Sequence, residues 1–406
     1  MTQELVVVRA GETRRSLVVT ALGCMQILSW GSTFYLLPVL AQPIVKDTGW
    51  PYDRVMGGLA LGLLVAGIVS PRIGRAIHQY GGRPVLALGS LLVALGLAII
   101  GLAGSFPLYL AGWAVLGAGM GAALYDAAFS TLGSLYGKAA RSAITSVTLY
   151  GGFASTVCWP FSAFLVEHVG WRGACLAYAV IHIALGVTLS LVVVPNRRAE
   201  AAETGNVQPP HPAALAAGER TVFVLLAVVL TLSAAILSLM GSQLITLLLA
   251  SGLDLAKAVT LGMLIGPSAV GARVVEMLAG SRYHPIWTMV ASATLVGCGA
   301  LLFFIGPAAF GVAIAIYAAG NGIGSIAKGT LPLALFGPAR YPALVGKIGL
   351  PVLFAMSLAP YVGALSFQLG GVTATFSLLL IMATINVVLV ACLYALSRRL
   401  RAEGAP

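Results

Sequence analysis

Two ionisable residues, Asp126 and Lys328, lie deep inside long apolar runs, at matching places in the two halves of the sequence. An ionised side chain in hydrocarbon costs several kcal/mol, roughly 2.5–3.5 on insertion scales, so it is expected beside a partner or a water-filled cavity. A lysine ammonium can exchange water for a carboxylate, and an aspartate can carry a proton. The pair therefore predicts anion binding and proton transfer, with a fixed ion pair that joins the two halves as the alternative.

Polar side chains elsewhere in the apolar runs extend this predicted site. Asn321, Ser325 and Lys328 recur at helical spacing and share one face. Neutral hydrogen-bonding groups of this kind can orient a small polar solute. The alternative is interhelical hydrogen bonding or, for the aromatic rings, interfacial packing. The predicted substrate-binding residues are Lys328, Asn321, Ser325, Gln26, Trp30, Thr33, Tyr35, Ser242, Gln243, Thr246, Thr148 and Ser155.

Long apolar helices must position these residues. The chain is 59% hydrophobic and only 9% charged, whereas soluble domains are about 25% charged. Its continuous apolar runs, such as 174–194 and 372–396, match the roughly 20 residues that a helix needs to cross a bilayer. The pattern predicts an all-α membrane protein, with twelve transmembrane helices in two pseudo-symmetric six-helix bundles.

A polar stretch rich in Ala, Pro, Glu and Arg divides the chain. It predicts an N-terminal six-helix bundle over residues 1–194, a cytoplasmic linker over 195–219 and a C-terminal six-helix bundle over 220–406. Most of the 23 basic residues fall on the linker side of the helices. Because short basic loops stay in the cytoplasm, both termini are predicted to be cytoplasmic, in a bacterial-type inner (plasma) membrane.

Charge and cysteine usage exclude several other classes of protein. The net charge of +11 is dispersed over helix ends, which argues against nucleic-acid binding. All five cysteines fall in apolar runs without metal-site spacing, so no metal and no cofactor are predicted. His182 has no acidic neighbour in its run, and no nucleophile, base or metal cluster is evident. The chain is therefore not expected to be an enzyme.

A glycine and arginine signature follows the second apolar run of each half. Glycine permits a tight turn, and arginine can bond the exposed carbonyls of a neighbouring helix end. Such a clamp can close and release, so we predict that the two copies form a gate. Its residues are Gly74, Arg75, His78, Gly81 and Arg83 in the first half, and Arg273, Glu276 and Arg282 in the second.

A second repeated pattern consists of closely spaced glycines. Those in the fourth and tenth runs precede Asp126 and Lys328 respectively. Small residues at this spacing let membrane helices approach closely, which is the role we predict for them. The glycines are Gly117, Gly119 and Gly121 in the fourth run, and Gly320, Gly322 and Gly324 in the tenth.

With twelve runs, a central linker and the repeated glycine and arginine loop, nearly the whole chain resembles the major facilitator superfamily of secondary transporters. His78 stands where the family's loop carries an acid, whereas Glu276 occupies the corresponding place in the second half. Trp113 replaces the arginine of the family's fourth helix. The fifth run lacks the Gly-Pro-x-x-Gly-Gly stretch of drug and proton antiporters. The pattern is more similar to the branch of oxalate/formate exchangers and monocarboxylate carriers.

This resemblance implies alternating access around a central cavity lined by helices one, four, seven and ten. It implies secondary transport of a small carboxylate-type anion, with Asp126 coupling protons to substrate, or exchange. Export or import of a larger amphipathic metabolite or drug is the alternative. The expected partners are a small-molecule substrate, membrane lipid and protons, with no nucleic acid, and the protein is expected to be a monomer.

Overall fold

The computed structural model describes residues 2–195, 215–279 and 282–402, which form helices and turns, with no strand among them. The chain forms two compact units, Met1–Pro209 and Pro210–Pro406. Each unit contains six helical spans within the described residues. The predicted linker over 195–219 falls mainly on residues 196–214, which lie outside the described residues, so its limits stay a prediction.

The first unit contains two spans that are broken near their middle. The first span changes direction in a turn over residues 32–36, and the fourth is interrupted at Leu124. The fifth and sixth spans meet at Gly170, whose φ is 70°. A π-helical turn, His182–Val187, lies inside the sixth span. In chain order the helices are Thr2–Gly31, Leu37–Thr48, Tyr52–Tyr80, Gly82–Gly101, Phe106–Ala123, Tyr125–Tyr136, Ala140–Gly152, Ala154–Ile181 and Thr188–Val192.

The second unit also has six spans, but its first and fourth, the seventh and tenth of the chain, are unbroken. Its last three spans run together from Phe310 to Ala402 and are separated at Gly337 and at Gly370–Gly371, where the backbone is not helical. They cover residues 310–336, 338–369 and 372–402. The helices of the unit are Ala217–Ala250, Leu255–Gly262, Ile265–Ala279, Pro285–Leu302 and Phe310–Ala402.

The described helices have the length and composition of membrane spans. Seven helical runs among the described residues are long and apolar enough to cross a membrane. Two of them, Phe106–Val192 and Pro307–Arg399, are each far longer than one crossing needs and contain three spans. Divided at their breaks, the seven runs give eleven spans, and the first span, which is broken between Thr2–Gly31 and Leu37–Thr48, is the twelfth, as the sequence predicts.

The closely spaced glycines pack helices together in both units, and this prediction is confirmed. A Cβ atom on Gly119 would lie 2.6 Å from the backbone nitrogen of Val93 in the third span. A Cβ atom on Gly320 would lie 2.8 Å from the backbone nitrogen of Val296 in the ninth span. Any larger residue would force these helices apart, so equivalent glycines set the same close contact in each half.

Candidate functional site

Asp126 lies at an interruption of the fourth span. The helix Phe106–Ala123 ends there, Leu124 is extended with ψ of −173°, and Tyr125–Tyr136 begins. The amides of Ala127 and Ala128 both donate to the Leu124 carbonyl, at 3.1 and 3.2 Å. Asp126 therefore sits in the first turn of a new helix, where the partial positive charge of the N-terminus favours a carboxylate.

Gln26 stabilises the helix end that this interruption creates. Its Nε2 donates to the Ala123 carbonyl at 2.8 Å, and the side chain is fully buried. The last carbonyls of a helix lack intrahelical partners, so a side-chain donor satisfies one of them. Gln26 Oε1 and the Nε1 of Trp30 are both buried, and neither has a hydrogen-bond partner among the described residues.

Three aromatic rings contact Trp30 and two more contact those three, and we call the whole group the aromatic cluster. The Trp30 ring lies 5.2 Å from Tyr125, 5.7 Å from Phe34 and 6.2 Å from Tyr35, centroid to centroid. Trp159 Nε1 donates to the Tyr35 carbonyl at 3.0 Å. Most of these rings are only partly buried, unlike the rings of the unit's core. The members are Trp30, Phe34, Tyr35, Tyr125, Phe129 and Trp159.

The remaining predicted site residues of the first unit bond to backbone. Thr33 Oγ1 donates to the Ser29 carbonyl, and Thr148 Oγ1 donates to the Thr145 carbonyl at 2.7 Å. Both threonines are fully buried, whereas Ser155 is half-buried. The structure thus brings Gln26, Trp30, Tyr35 and Asp126 to one neighbourhood, and it gives the two threonines a local backbone role.

In the second unit, Arg273 of the eighth span reaches the tenth span beside the predicted anion site. Its Nε donates to the Gly322 carbonyl at 3.1 Å and to Ser325 Oγ at 3.2 Å. Ser325 Oγ in turn donates to the Gly322 carbonyl at 2.7 Å. Asn321, Ser325 and Lys328 are all half-buried.

This position of Arg273 differs from the helix end that the sequence predicts for it. Gly322 lies 12 residues after Phe310 and 15 before Gly337, which corresponds to about 18 and 22 Å along the helix axis. The guanidinium group is therefore near the middle of the tenth span. Arg273 was predicted to belong to a gate. The structure places it next to the predicted substrate-binding residue Ser325.

Polar side chains of the seventh span donate hydrogen bonds to backbone carbonyls, either of the same helix or of a neighbouring one. Gln243 Nε2 donates to the Pro360 carbonyl of the eleventh span at 3.3 Å. Ser242 Oγ donates to the Leu239 carbonyl of its own helix at 2.9 Å, and Thr246 is exposed. These contacts match the alternative of interhelical hydrogen bonding that the sequence left open for Gln243.

The residues predicted to form a gate in the first unit lie at and before a tight turn. Gly81 has φ of 84°, a conformation that only glycine adopts without strain, and it joins Tyr52–Tyr80 to Gly82–Gly101. Arg75 is exposed and its Nε donates to the Pro71 carbonyl at 3.4 Å. Gly74 is buried, and His78 and Arg83 are half-buried.

Glu276 of the second unit accepts hydrogen bonds from two residues at the start of the ninth span. Its side chain is 7% exposed. Oε1 accepts from Thr288 Oγ1 at 2.7 Å and Oε2 accepts from the Tyr283 hydroxyl at 3.1 Å. Arg282 is exposed. Glu276 therefore ties the eighth span to the start of the ninth within this unit.

Two arginine clamps, which the sequence does not reveal, hold the predicted cytoplasmic ends of the units. In the first-unit clamp, Arg15 donates to the Ala139 carbonyl at 2.8 Å and to Ser142 Oγ at 2.7 Å. In the second-unit clamp, Arg340 donates to both carboxylate oxygens of Glu219, at 2.7 and 2.8 Å. Each clamp joins the first span of a unit to the turn after its fourth span. Nothing local in the sequence marks these long-range partners.

His182 is fully buried, and its Nε2 lies 2.7 Å from Ser32 Oγ. The contact joins the π-helical turn of the sixth span to the break in the first. A local opening of the helix at this point lets the imidazole reach a neighbouring span. His182 therefore connects two spans of the first unit.

The described residues form twelve apolar helical spans, six in each unit, with polar groups inside them, which is the architecture of a multi-pass membrane protein. The chain belongs to the Major Facilitator Superfamily, whose family model matches residues 22–327. A comparison with curated proteins gives no match. The narrower likeness to oxalate/formate exchangers and monocarboxylate carriers stays a prediction.

Solved structures of transporters share this fold. The human organic anion transporter MFSD10 (TETRAN) has a TM-score of 0.72 and 15% sequence identity, covering 93% of this chain and 99% of that one. The transporter FucP in its outward conformation has a TM-score of 0.71 and 14% identity, covering 92% and 98%. A variant of the E. coli fucose:proton symporter FucP has a TM-score of 0.71 and 13% identity, covering 93% and 98%. At these identities the likeness concerns the fold alone.

Proposed function

We propose that the protein is a secondary active transporter of a small organic anion of the carboxylate type, working by alternating access with proton coupling or exchange. The observation that carries the proposal is the contact of Arg273 with Ser325 in the middle of the tenth span. Ser325 shares a helical face with Lys328. Two cationic side chains thus act on one region of the second unit.

The electrostatics of that region favour an anion. Residues three apart in a helix have Cβ atoms about 5–6 Å apart, which is the separation expected for Ser325 and Lys328. A guanidinium binds carboxylates through directed hydrogen bonds and an ammonium binds them as a point charge, so both side chains are suited to an anion.

Asp126 is the residue we assign to proton coupling. It is half-buried in the first turn of Tyr125–Tyr136, inside the fourth span, where an acidic side chain is rare and commonly belongs to a proton or substrate pathway. Uptake of a proton at Asp126 together with anion binding near Lys328 would move substrate and proton in the same step.

The structural relatives do not identify the substrate of this chain. One is described as an organic anion transporter and another as a fucose:proton symporter. The choice of an anion for this chain depends on Arg273 and Lys328 themselves. A larger amphipathic metabolite or drug remains the alternative substrate class.

The remaining parts of the proposal concern topology. We place the protein in a bacterial-type inner (plasma) membrane as a monomer. Both termini are assigned to the cytoplasm, because basic residues concentrate at one set of helix ends. A single cysteine introduced at Arg399 should then react with a membrane-impermeant thiol reagent only after the cell is opened. One introduced at Lys257 should react in intact cells, and the opposite pattern would reverse the orientation.

Uptake of labelled mono- and dicarboxylates into proteoliposomes tests the anion assignment. Lys328→Gln and Arg273→Gln should each lower carboxylate uptake tenfold or more, since a hydrogen bond to a charged group is worth about 1.5–3 kcal/mol. Lys257→Gln is the control, because that side chain is 75% exposed. Transport of a neutral compound should survive all three changes. Wild-type carboxylate uptake by both Lys328→Gln and Arg273→Gln would contradict the proposal.

A further inference from the structure

Within the described residues, three arginines each place a guanidinium group over an aromatic ring. A guanidinium over a ring still has five N–H groups to donate, so hydrogen-bond acceptors complete its surroundings. Arg15 lies 5.3 Å from the ring centre of Tyr136 and donates to the Ala139 carbonyl and to Ser142 Oγ. The first unit itself therefore supplies the acceptors for this arginine.

Arg172, at the predicted outer end of the first unit, has an anion as its acceptor. Its guanidinium lies 4.2 Å from the ring centre of Trp171 and forms an ion pair with Asp47. The Asp47 carboxylate also accepts from Trp171 Nε1 at 3.1 Å. Arg172 donates in addition to the Ala103 carbonyl at 3.1 Å. An arginine held against a ring thus binds a carboxylate elsewhere in this chain.

Arg398, at the predicted cytoplasmic end of the twelfth span, has a ring but a different environment. Its guanidinium lies 5.7 Å from the ring centre of Tyr394, and that ring lies 5.0 Å from Trp287 at the start of the ninth span. Arg398 is exposed, and Trp287 is 48% exposed. In the part of the chain that the structure describes, the guanidinium has no hydrogen-bond acceptor and no carboxylate partner. An acceptor from outside the protein can reach it.

The surrounding sequence supplies positive charge and no carboxylate. Residues 277–402 contain seven lysines and arginines and no aspartate or glutamate. One of the seven, Arg399, is also exposed and follows Arg398 directly. Positive charge that the chain does not neutralise raises the local concentration of anions. The external acceptor for Arg398 is therefore expected to be negatively charged.

The length of the twelfth span places Arg398 among lipid headgroups. The span begins at Val372, after the non-helical Gly370 and Gly371. Arg398 lies 398 − 372 = 26 residues later, which is about 39 Å of helix. The hydrocarbon core of a bilayer is about 30 Å thick, and about 40–45 Å with the headgroups. Tyr394, one turn earlier, falls near the boundary where tyrosine and tryptophan are enriched.

We propose that Arg398, Tyr394 and Trp287 form a binding site for the headgroup of an anionic phospholipid in the cytoplasmic leaflet. The lipid phosphate accepts hydrogen bonds from Arg398, because a planar guanidinium matches phosphate oxygens. The Tyr394 ring holds the guanidinium in place, and the exposed Trp287 ring offers apolar surface to the lipid. Arg399 favours a headgroup with net negative charge over a zwitterionic one. This site is separate from solute binding and does not depend on which solute is carried.

Titration of phosphatidylglycerol into the detergent-solubilised full-length protein tests the site. A ligand that binds the folded state raises Tm, so the half-saturating lipid concentration can be read from Tm by tryptophan fluorescence. Phosphatidylglycerol should raise Tm saturably, and phosphatidylcholine should do so much less. Arg398→Gln should raise the half-saturating concentration about fivefold, which corresponds to the roughly 1 kcal/mol that one basic residue contributes near an anionic lipid surface. Tyr394→Leu removes no charge and should raise it at least about twofold, because the guanidinium loses its ring.

Arg72→Gln is the charge-matched control. Arg72 is an exposed arginine of the first unit whose Nη1 bonds the Ile68 carbonyl of its own helix at 3.4 Å, so this variant should keep the wild-type response. Each variant is compared with its own Tm without lipid, which removes any difference in intrinsic stability. Equal half-saturating concentrations for Arg398→Gln and Arg72→Gln would overturn the proposal, as would equal shifts from phosphatidylcholine and phosphatidylglycerol. Inorganic phosphate at matched ionic strength should not raise Tm, and a shift as large as that from the lipid would identify a site for free phosphate instead.

Discussion

Replacing Arg340 by glutamine should destabilise the second unit measurably. Arg340 and Glu219 are joined by two hydrogen bonds of 2.7 and 2.8 Å, and their side chains are 20% and 14% exposed. The Glu219 carboxylate also accepts the Ala216 amide at 3.0 Å, which caps the seventh span. The change Arg340→Gln leaves this mostly buried carboxylate without its cation. Since the pair is not fully buried, we expect a loss of about 2–3 kcal/mol.

That loss corresponds to a lower unfolding temperature. For units of about 150–250 residues, 1 kcal/mol shifts Tm by roughly 2–4 °C, so the expected decrease is about 4–12 °C. Tryptophan fluorescence of the purified protein in detergent, heated at one fixed scan rate, measures it, since membrane proteins commonly unfold irreversibly.

A neighbouring arginine provides the control for this experiment. Arg220 follows Glu219 in sequence and is exposed, so Arg220→Gln should shift Tm by less than about 2 °C. The double variant Glu219→Gln with Arg340→Gln should regain part of the loss, because it removes the stranded carboxylate. If Arg340→Gln is as stable as Arg220→Gln, the second-unit clamp does not stabilise the fold and our reading of its geometry is refuted.

Two further predictions concern carboxyl groups inside the spans. Asp126→Asn should abolish uphill substrate accumulation driven by a pH gradient but retain substrate exchange, since asparagine fills the same space without carrying a proton. Uptake with an imposed pH gradient measures this. Accumulation at the wild-type level would show that Asp126 does not couple protons to transport. Glu276→Ala should lower the stability of the second unit by about 2 kcal/mol, because it strands the buried hydroxyl of Thr288 and frees that of Tyr283. Thr288→Val, which removes only one of these bonds, should lower Tm by a smaller amount, and an equal effect of the two changes would refute the shared role of Glu276.

The sequence was sufficient to predict the architecture, because length, apolar periodicity and repeated glycines are direct signals of membrane helices. It also singled out Asp126, Lys328, Gln26 and Trp30, since polar residues in apolar runs are conspicuous. It was not sufficient to place Arg273. A basic residue next to glycines resembles a turn residue, and only the packing of the eighth span against Gly322 reveals its depth.

The interruption of the fourth span could not be predicted either. Residues 123–126 contain neither glycine nor proline, so no local propensity marks a break there. The break is stabilised from outside, by the amide of Gln26 nearly 100 residues earlier in the chain. Interactions of this kind depend on tertiary packing, which overrides local preference.

The two clamps carry their arginines on opposite elements, which limits how far the halves of the molecule can be exchanged. In the first unit the arginine, Arg15, lies in the first span. In the second unit Arg340 follows the tenth span, and its partner Glu219 lies in the seventh. A chimera that grafted the later turn into the earlier half would therefore set Arg340 against Arg15, guanidinium facing guanidinium. Two identical halves would carry the same clamp twice, so the halves of this chain, if they arose by duplication, have since diverged at these positions.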